Sequence, residues 1–205
     1  MNIEKLKEEQ LKLRKKIILK NSFDEIENIG GCYITGFEEK LIVSLVVLDF
    51  KTMEVKDKML DVSIPNMKYV SGLLGFRVAP AIIDAFTSLD KRPDVMIINA
   101  NGILHPRKMG AATQIGIQLD VPTIGVAKKL MVGEVKEGDI FIDEEKVGFM
   151  VETKDIAKPI YVSPGHKINM STSLKIIKEC IKKHKLPEPL HIAHKYAVKE
   201  KKKLK

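Results

Sequence analysis

Residues 93–110 and 120–129 carry the side chains best suited to chemistry. The first stretch, Pro93-Asp94-Val95-Met96-Ile97-Ile98-Asn99-Ala100-Asn101-Gly102-Ile103-Leu104-His105-Pro106-Arg107, is an apolar run that ends in a loop bearing His105 and Arg107. The second ends on Lys128 and Lys129. Imidazole, guanidinium and ammonium groups all donate to anionic oxygens, so these four residues suit the grip of a phosphate. Ligands of an α/β sheet collect at the carboxyl ends of its strands, where both groups fall. No carboxylate accompanies them.

Those strand ends need a sheet to hold them. Residues 95–99 and 122–126 read as its fourth and fifth strands, joined by a helix over 108–119. Upstream, 28–37 reads as a first strand, 41–50 as an apolar central strand and 52–64 as a more exposed third. Connections this tight make an antiparallel meander. Ile3, Leu6, Leu13 and Ile17 share one face of a helix reaching about Lys20, expected to pack on the sheet. A second helix covers 73–89, interrupted at Pro80. A hairpin around Gly138-Asp139, strands near 147–151 and 160–162, a helix over 172–185 and a last basic helix complete the order. A meander followed by βαβα predicts an α/β class: a mixed central sheet, antiparallel then parallel, with flanking helices.

The chain has 205 residues and a net charge of +8. Residues 195–205 hold six lysines against one glutamate, leaving only +3 for everything before them. The basicity is therefore mostly a tail, which strengthens nucleic-acid binding without sequence preference or simply frays into solvent. No apolar run approaches the roughly 18–20 residues of a membrane span. The charged N-terminus argues against a signal peptide, so cytoplasm is the expected compartment. Cys32 and Cys180 lack metal-ligand spacing and read as buried free thiols.

Four motifs, in order along the chain, carry a family resemblance. They are Tyr69-Val70-Ser71-Gly72-Leu73-Leu74-Gly75-Phe76-Arg77, the 93–129 segment, Pro164-Gly165-His166-Lys167 and Leu186-Pro187-Glu188-Pro189. Together they resemble endonuclease V, the nuclease that cuts nucleic acid beside deaminated adenine (inosine). The resemblance runs from about Leu6 to Ala197. It implies a ribonuclease H-like fold, one domain over 1–205 with a basic tail from about 195, and Mg²⁺ or Mn²⁺ held by three carboxylates.

At the positions that the resemblance marks for those carboxylates, the sequence has none. The first-strand Asp becomes Ile34, or Tyr33 or Cys32 if the match shifts by one or two residues. The helix Glu becomes Val78 and the fourth-strand Asp becomes Asn99. Asp84 lies roughly 240° around the helix from Val78, and Glu38 lies on the order of 13 Å along the strand from Ile34. Asp49, on the adjacent strand, is the best-placed substitute.

The resemblance implies a fuller binding half. Tyr69 matches an aromatic wedged between bases, and Gly72, Gly102 and Gly125 match backbone positions lining the inosine pocket, although ordinary turn chemistry explains them almost as well. Ala100 adds a methyl there. His105, on an exposed loop with Arg107, matches a residue near the scissile phosphate. Lys128 matches a phosphate-directed lysine, and His166 an active-site neighbour. His184, His191 and His194 read as solvated. The expectation is a protein that binds DNA or RNA, including inosine-containing strands, with cleavage impaired or lost and no cofactor; Asn99, His105 and Lys128 are its residual catalytic positions. The alternatives are an active Mg²⁺- or Mn²⁺-dependent endonuclease with a rearranged site, and a scaffold or regulatory protein that reuses the fold.

Overall fold

In the computed structural model, which describes residues 2–36 and 39–204, one nine-stranded sheet organises the chain. Strand β1 (Asn28–Gly36) pairs antiparallel with β2 (Leu41–Asp49), and β2 with the edge strand β3 (Val55–Ser63). This is the expected meander. On its other side β1 pairs parallel with β4 (Val95–Ile98), and β4 with β5 (Thr123–Ala127). The antiparallel strands β6 (Glu134–Lys136), β7 (Asp139–Ile142), β8 (Glu145–Val151) and β9 (Ile160–His166) then extend the sheet, with β9 against β5. The Glu137-Gly138 turn between β6 and β7 has positive φ at both residues, as a two-residue hairpin requires.

Alternation along the strands builds two apolar layers. Ile29, Tyr33, Ile42 and Val46 face α4 (Met170–Cys180) and α5 (Glu188–Lys203). Cys32, Val43, Leu45 and Val47 face α2 (Leu74–Thr87) and α3 (Ala111–Leu119). Covered on both sides, β2 is apolar at nearly every position, which is why it reads as an unbroken run. Both cysteines are buried and free, and burial pushes the Cys180 thiol up to about 12.

Three expectations about helices are corrected. Pro80 does not interrupt α2, which runs through it. The proline sits on the exposed face, while Val78, Ala79, Ile82 and Phe86 anchor the helix below. Helix α1 (Ile3–Arg14) stops short of Lys20, and the residue it buries is polar Gln10 rather than an apolar stripe. Asn2 caps its start by accepting from the Lys5 N–H. The helix predicted over 172–185 ends at Cys180. Among the described residues, no helix is long and apolar enough to cross a membrane.

Candidate nucleic-acid interface

The parallel strands β1, β4 and β5 end along one rim. Cys32 is level with Ile98, and Ile98 with Gly125, so Tyr33, Asn99 and Lys128 all lie just beyond. Tyr33 turns toward the α5 layer and is only 8% exposed. Its phenolic oxygen accepts a 2.7 Å hydrogen bond from Lys128 Nζ, which also lies 5.0 Å from the ring centroid. The His194 ring of α5 packs against the same phenol, centroids 4.6 Å apart and planes tilted by 57°. Burial, then the Lys128 charge, then His191 hold the His194 imidazole below its usual range. Among the described residues, Lys128 has no carboxylate partner and the Tyr33 O–H has no acceptor.

On the α2 side of the rim, Asn99 is tied to the backbone of β1. Its Oδ1 accepts from the Ile34 N–H at 2.7 Å, and its Nδ2 donates to the Ile34 carbonyl at 3.0 Å. The side chain thereby continues the β1–β4 ladder past the end of β4. A cleft of about 400 Å³ opens here, lined by Ile34, Tyr69, Leu74, Arg77, Val78 and Asn99. Arg77 donates to the Met67 carbonyl.

This donor set does not fit the divalent cation implied by the resemblance. Ile34 and Val78 offer hydrocarbon, the Asn99 oxygen is already engaged, and the phenol of Tyr33 faces an ammonium. Mg²⁺ sheds its water reluctantly and requires anionic oxygens. No group of three or more His, Cys, Asp or Glu among the described residues could hold a metal ion. Asp49 does not substitute. It pairs with Asn28, five residues down β1 from Tyr33 and so roughly 17 Å away, and it is committed to Lys56 at 2.8 Å. Asp84 faces outward as expected, and Glu38 lies outside the described residues.

His105 and Arg107 belong to a separate, inward-facing assembly, which corrects the expectation of an exposed loop. Ile103 and Leu104 bury into a small third core and drag His105 in with them, to 2% exposure. His105 Nε2 lies 3.1 Å from the Gly72 carbonyl, and its Nδ1 accepts from the Arg107 N–H at 3.2 Å. Both ring nitrogens are used by the backbone, which places the proton on Nε2. Burial and then the Arg107 charge push the imidazole down to about 4. Arg107 donates to Gln10 Oε1 at 2.6 Å and to the Gly72 carbonyl at 3.0 Å, and Gln10 donates to that same carbonyl. Gly72 adopts φ +78°, which turns its carbonyl toward these donors, and a Cβ there would meet the Arg107 guanidinium.

Tyr69 stands over this assembly, 62% exposed, as a stacking residue must. Beneath it, Gly72, Asn101, His105 and Met131 enclose about 40 Å³, room for a few waters and too little for a nucleobase. At Gly102 and Gly125, the space of a Cβ is filled by protein backbone, the Pro164 carbonyl and the Gly102 N–H respectively, so close packing rather than an open pocket explains these glycines. Ala100 is buried.

His166 is displaced from the rim. It pairs with Thr123 at the start of β5, about 13 Å below Ala127, where it accepts from the Ile18 N–H. The three C-terminal histidines are half-buried and engaged in ring contacts rather than fully solvated. His184 and His191 stack with centroids 3.4 Å apart, and Glu188 bonds His184. His194 completes the rim. The sequence reading missed it, together with the part played by Tyr33. The available signal was the buried stripe Leu190, Ala193 and Ala197, which places His194 beside the sheet-facing side of α5.

A ribonuclease H-like mixed sheet with cationic strand ends defines a class of nucleic-acid-processing folds, and comparison with known proteins narrows it. The family model described as Endonuclease V matches residues 11–195. An endonuclease V from Dictyoglomus thermophilum is 43% identical over 198 residues, covering 93% of this chain and 87% of that protein. The crystal structure of an endonuclease V from Bacillus subtilis, 30% identical, superposes with a TM-score of 0.91 and covers 100% of this chain and 94% of its own. That of Ciona intestinalis endonuclease V, in complex with a DNA containing an inosine followed by a ribo-adenosine, is 27% identical with a TM-score of 0.88, covering 99% of each chain. The chain belongs to the endonuclease V family.

Proposed function

We propose that this protein binds DNA or RNA strands, inosine-containing ones among them, and that metal-dependent cleavage is impaired or lost. The observation that carries the reading is the pairing of Lys128 with Tyr33 at 2.7 Å, at the strand ends where the family resemblance puts a carboxylate-held metal. Support for inosine as a ligand comes from the Ciona relative bound to inosine-containing DNA. In this reading Lys128 contacts a strand phosphate and Tyr69 stacks where a base has been displaced. Arg107 and His105 shape the loop from within, and Gly72 supplies the carbonyl that holds both. Base entry then requires Tyr69 and Met131 to move, since the space beneath them is small.

An ordinary active endonuclease is the second reading, favoured by the 43% identity to the Dictyoglomus thermophilum enzyme across nearly the whole chain. One gel assay separates the two. Labelled single-stranded and duplex DNA and RNA, each with one inosine, are incubated with the protein in Mg²⁺ and in Mn²⁺. Retained, uncut complex supports the binding-only reading, and metal-dependent nicking beyond the inosine supports the active enzyme.

A further inference from the structure

We infer that Tyr33, Lys128 and His194 form an anion-binding site that takes a phosphate group directly, with no bridging divalent cation. The inference rests on the nucleic-acid reading above and names the chemistry by which the rim holds its ligand.

An ammonium carries three donors, and the Tyr33 oxygen uses one of those on Lys128. Two remain. The phenol accepts from Lys128, so its own O–H is left to donate, and no described residue accepts it. His194 packs on the same ring, centroids 4.6 Å apart, and lies close enough to Lys128 to feel its charge. The three side chains come together from β1, from the loop after β5 and from α5, elements whose relative placement is set by the sheet core. Lys128 is paired with a phenol and with no carboxylate among the described residues, so the site carries a positive charge. A divalent cation placed here meets an ammonium without anionic ligands to offset the repulsion, whereas a phosphate oxygen meets the ammonium and a hydroxyl. Lys128 is exposed while Tyr33 is buried, so the phenol holds a mobile cation at the rim rather than sealing it inside.

The test has two independent arms. In the first, a labelled single strand with one inosine is titrated with the full-length protein in EDTA and then in Mg²⁺. Equal affinity in both is expected, with a loss of about tenfold in Lys128→Ala, the order of one charged hydrogen bond. Tyr33→Asp, which replaces the hydroxyl donor with a carboxylate beside Lys128, should bind more weakly than the unaltered protein in both conditions. Binding that appears only with Mg²⁺ in the unaltered protein overturns the inference and leaves the nucleic-acid reading standing. In the second arm, inorganic phosphate alone is titrated while the His194 ring protons are followed by NMR. A saturable shift that disappears in Lys128→Ala supports the site even if no strand binds, an outcome that would overturn the nucleic-acid reading instead. An unmoved His194 signal overturns the site.

Discussion

Lys128 Nζ sits 2.7 Å from the Tyr33 phenolic oxygen, tying the loop after β5 to β1 across the intervening strand β4. Tyr33→Phe keeps the ring in its packing against His194 and removes only this bond. Because Lys128 is exposed and can turn to water, the expected cost is at the low end for a hydrogen bond, about 0.5–1 kcal/mol. Urea denaturation would measure it. Loss of several kcal/mol would mean that the phenol supports the fold rather than the rim.

Asn99 makes two bonds to one residue, Ile34, and so acts as an extra rung of sheet. Asn99→Ala leaves a backbone N–H and carbonyl without their partner, an expected loss of about 1–3 kcal/mol. Asn99→Asp keeps the acceptor but sets a carboxylate against the Ile34 carbonyl. It should destabilise the protein without restoring cleavage, since Ile34 and Val78 still contribute no anion. Recovery of metal-dependent nicking in this single variant would overturn that account.

Stability should fall on acidification. His105 is held neutral in the fold, down to about 4 from an ordinary 6.5, by burial and the Arg107 charge. Between those values the unfolded chain binds more protons than the folded one, so folding free energy declines as pH drops from about 6.5 to about 4. The lowered values of His166, His191 and His194 act in the same direction. A shift of this size corresponds to about 3 kcal/mol at most. His105→Gln should flatten the slope in denaturation curves recorded across that range.

The helical lysines should set the salt dependence of binding. Lys195, Lys199 and Lys202 are exposed along a groove beside α5 whose floor includes Ile192 and Tyr196. Charge at its rim and apolar, aromatic surface below suit a single strand. Replacing all three lysines with Gln should lower the slope of log affinity against log salt by about 2, at roughly 0.7 for each phosphate no longer neutralised. An unchanged slope would confine the strand to the rim and remove the groove from the interface.

The strands, their order and the absence of the expected carboxylates at 34, 78 and 99 were legible in the chain, because alternation and turn residues are local properties. Helix α2 was harder to read at Pro80, since the core beneath Val78 and Ile82 decides whether a helix tolerates a proline. The loop at His105 was misread for a related reason. Its polar residues suggest exposure, but Ile103 and Leu104 find a core contributed by β7 and β8, far along the chain.

By itself the sequence determined a mixed α/β sheet, a cationic set of strand ends and a basic C-terminal helix, since each follows from short-range pattern and composition. Only the tertiary structure decided which cations share a site. His105 and Arg107 are drawn inward to the Gly72 carbonyl, while Lys128 meets Tyr33 and a histidine 66 positions away, His194. The reason is geometric. Hydrogen bonds and ring contacts act over a few ångströms, and the sheet register and the docking of α5 determine which distant residues come within that reach.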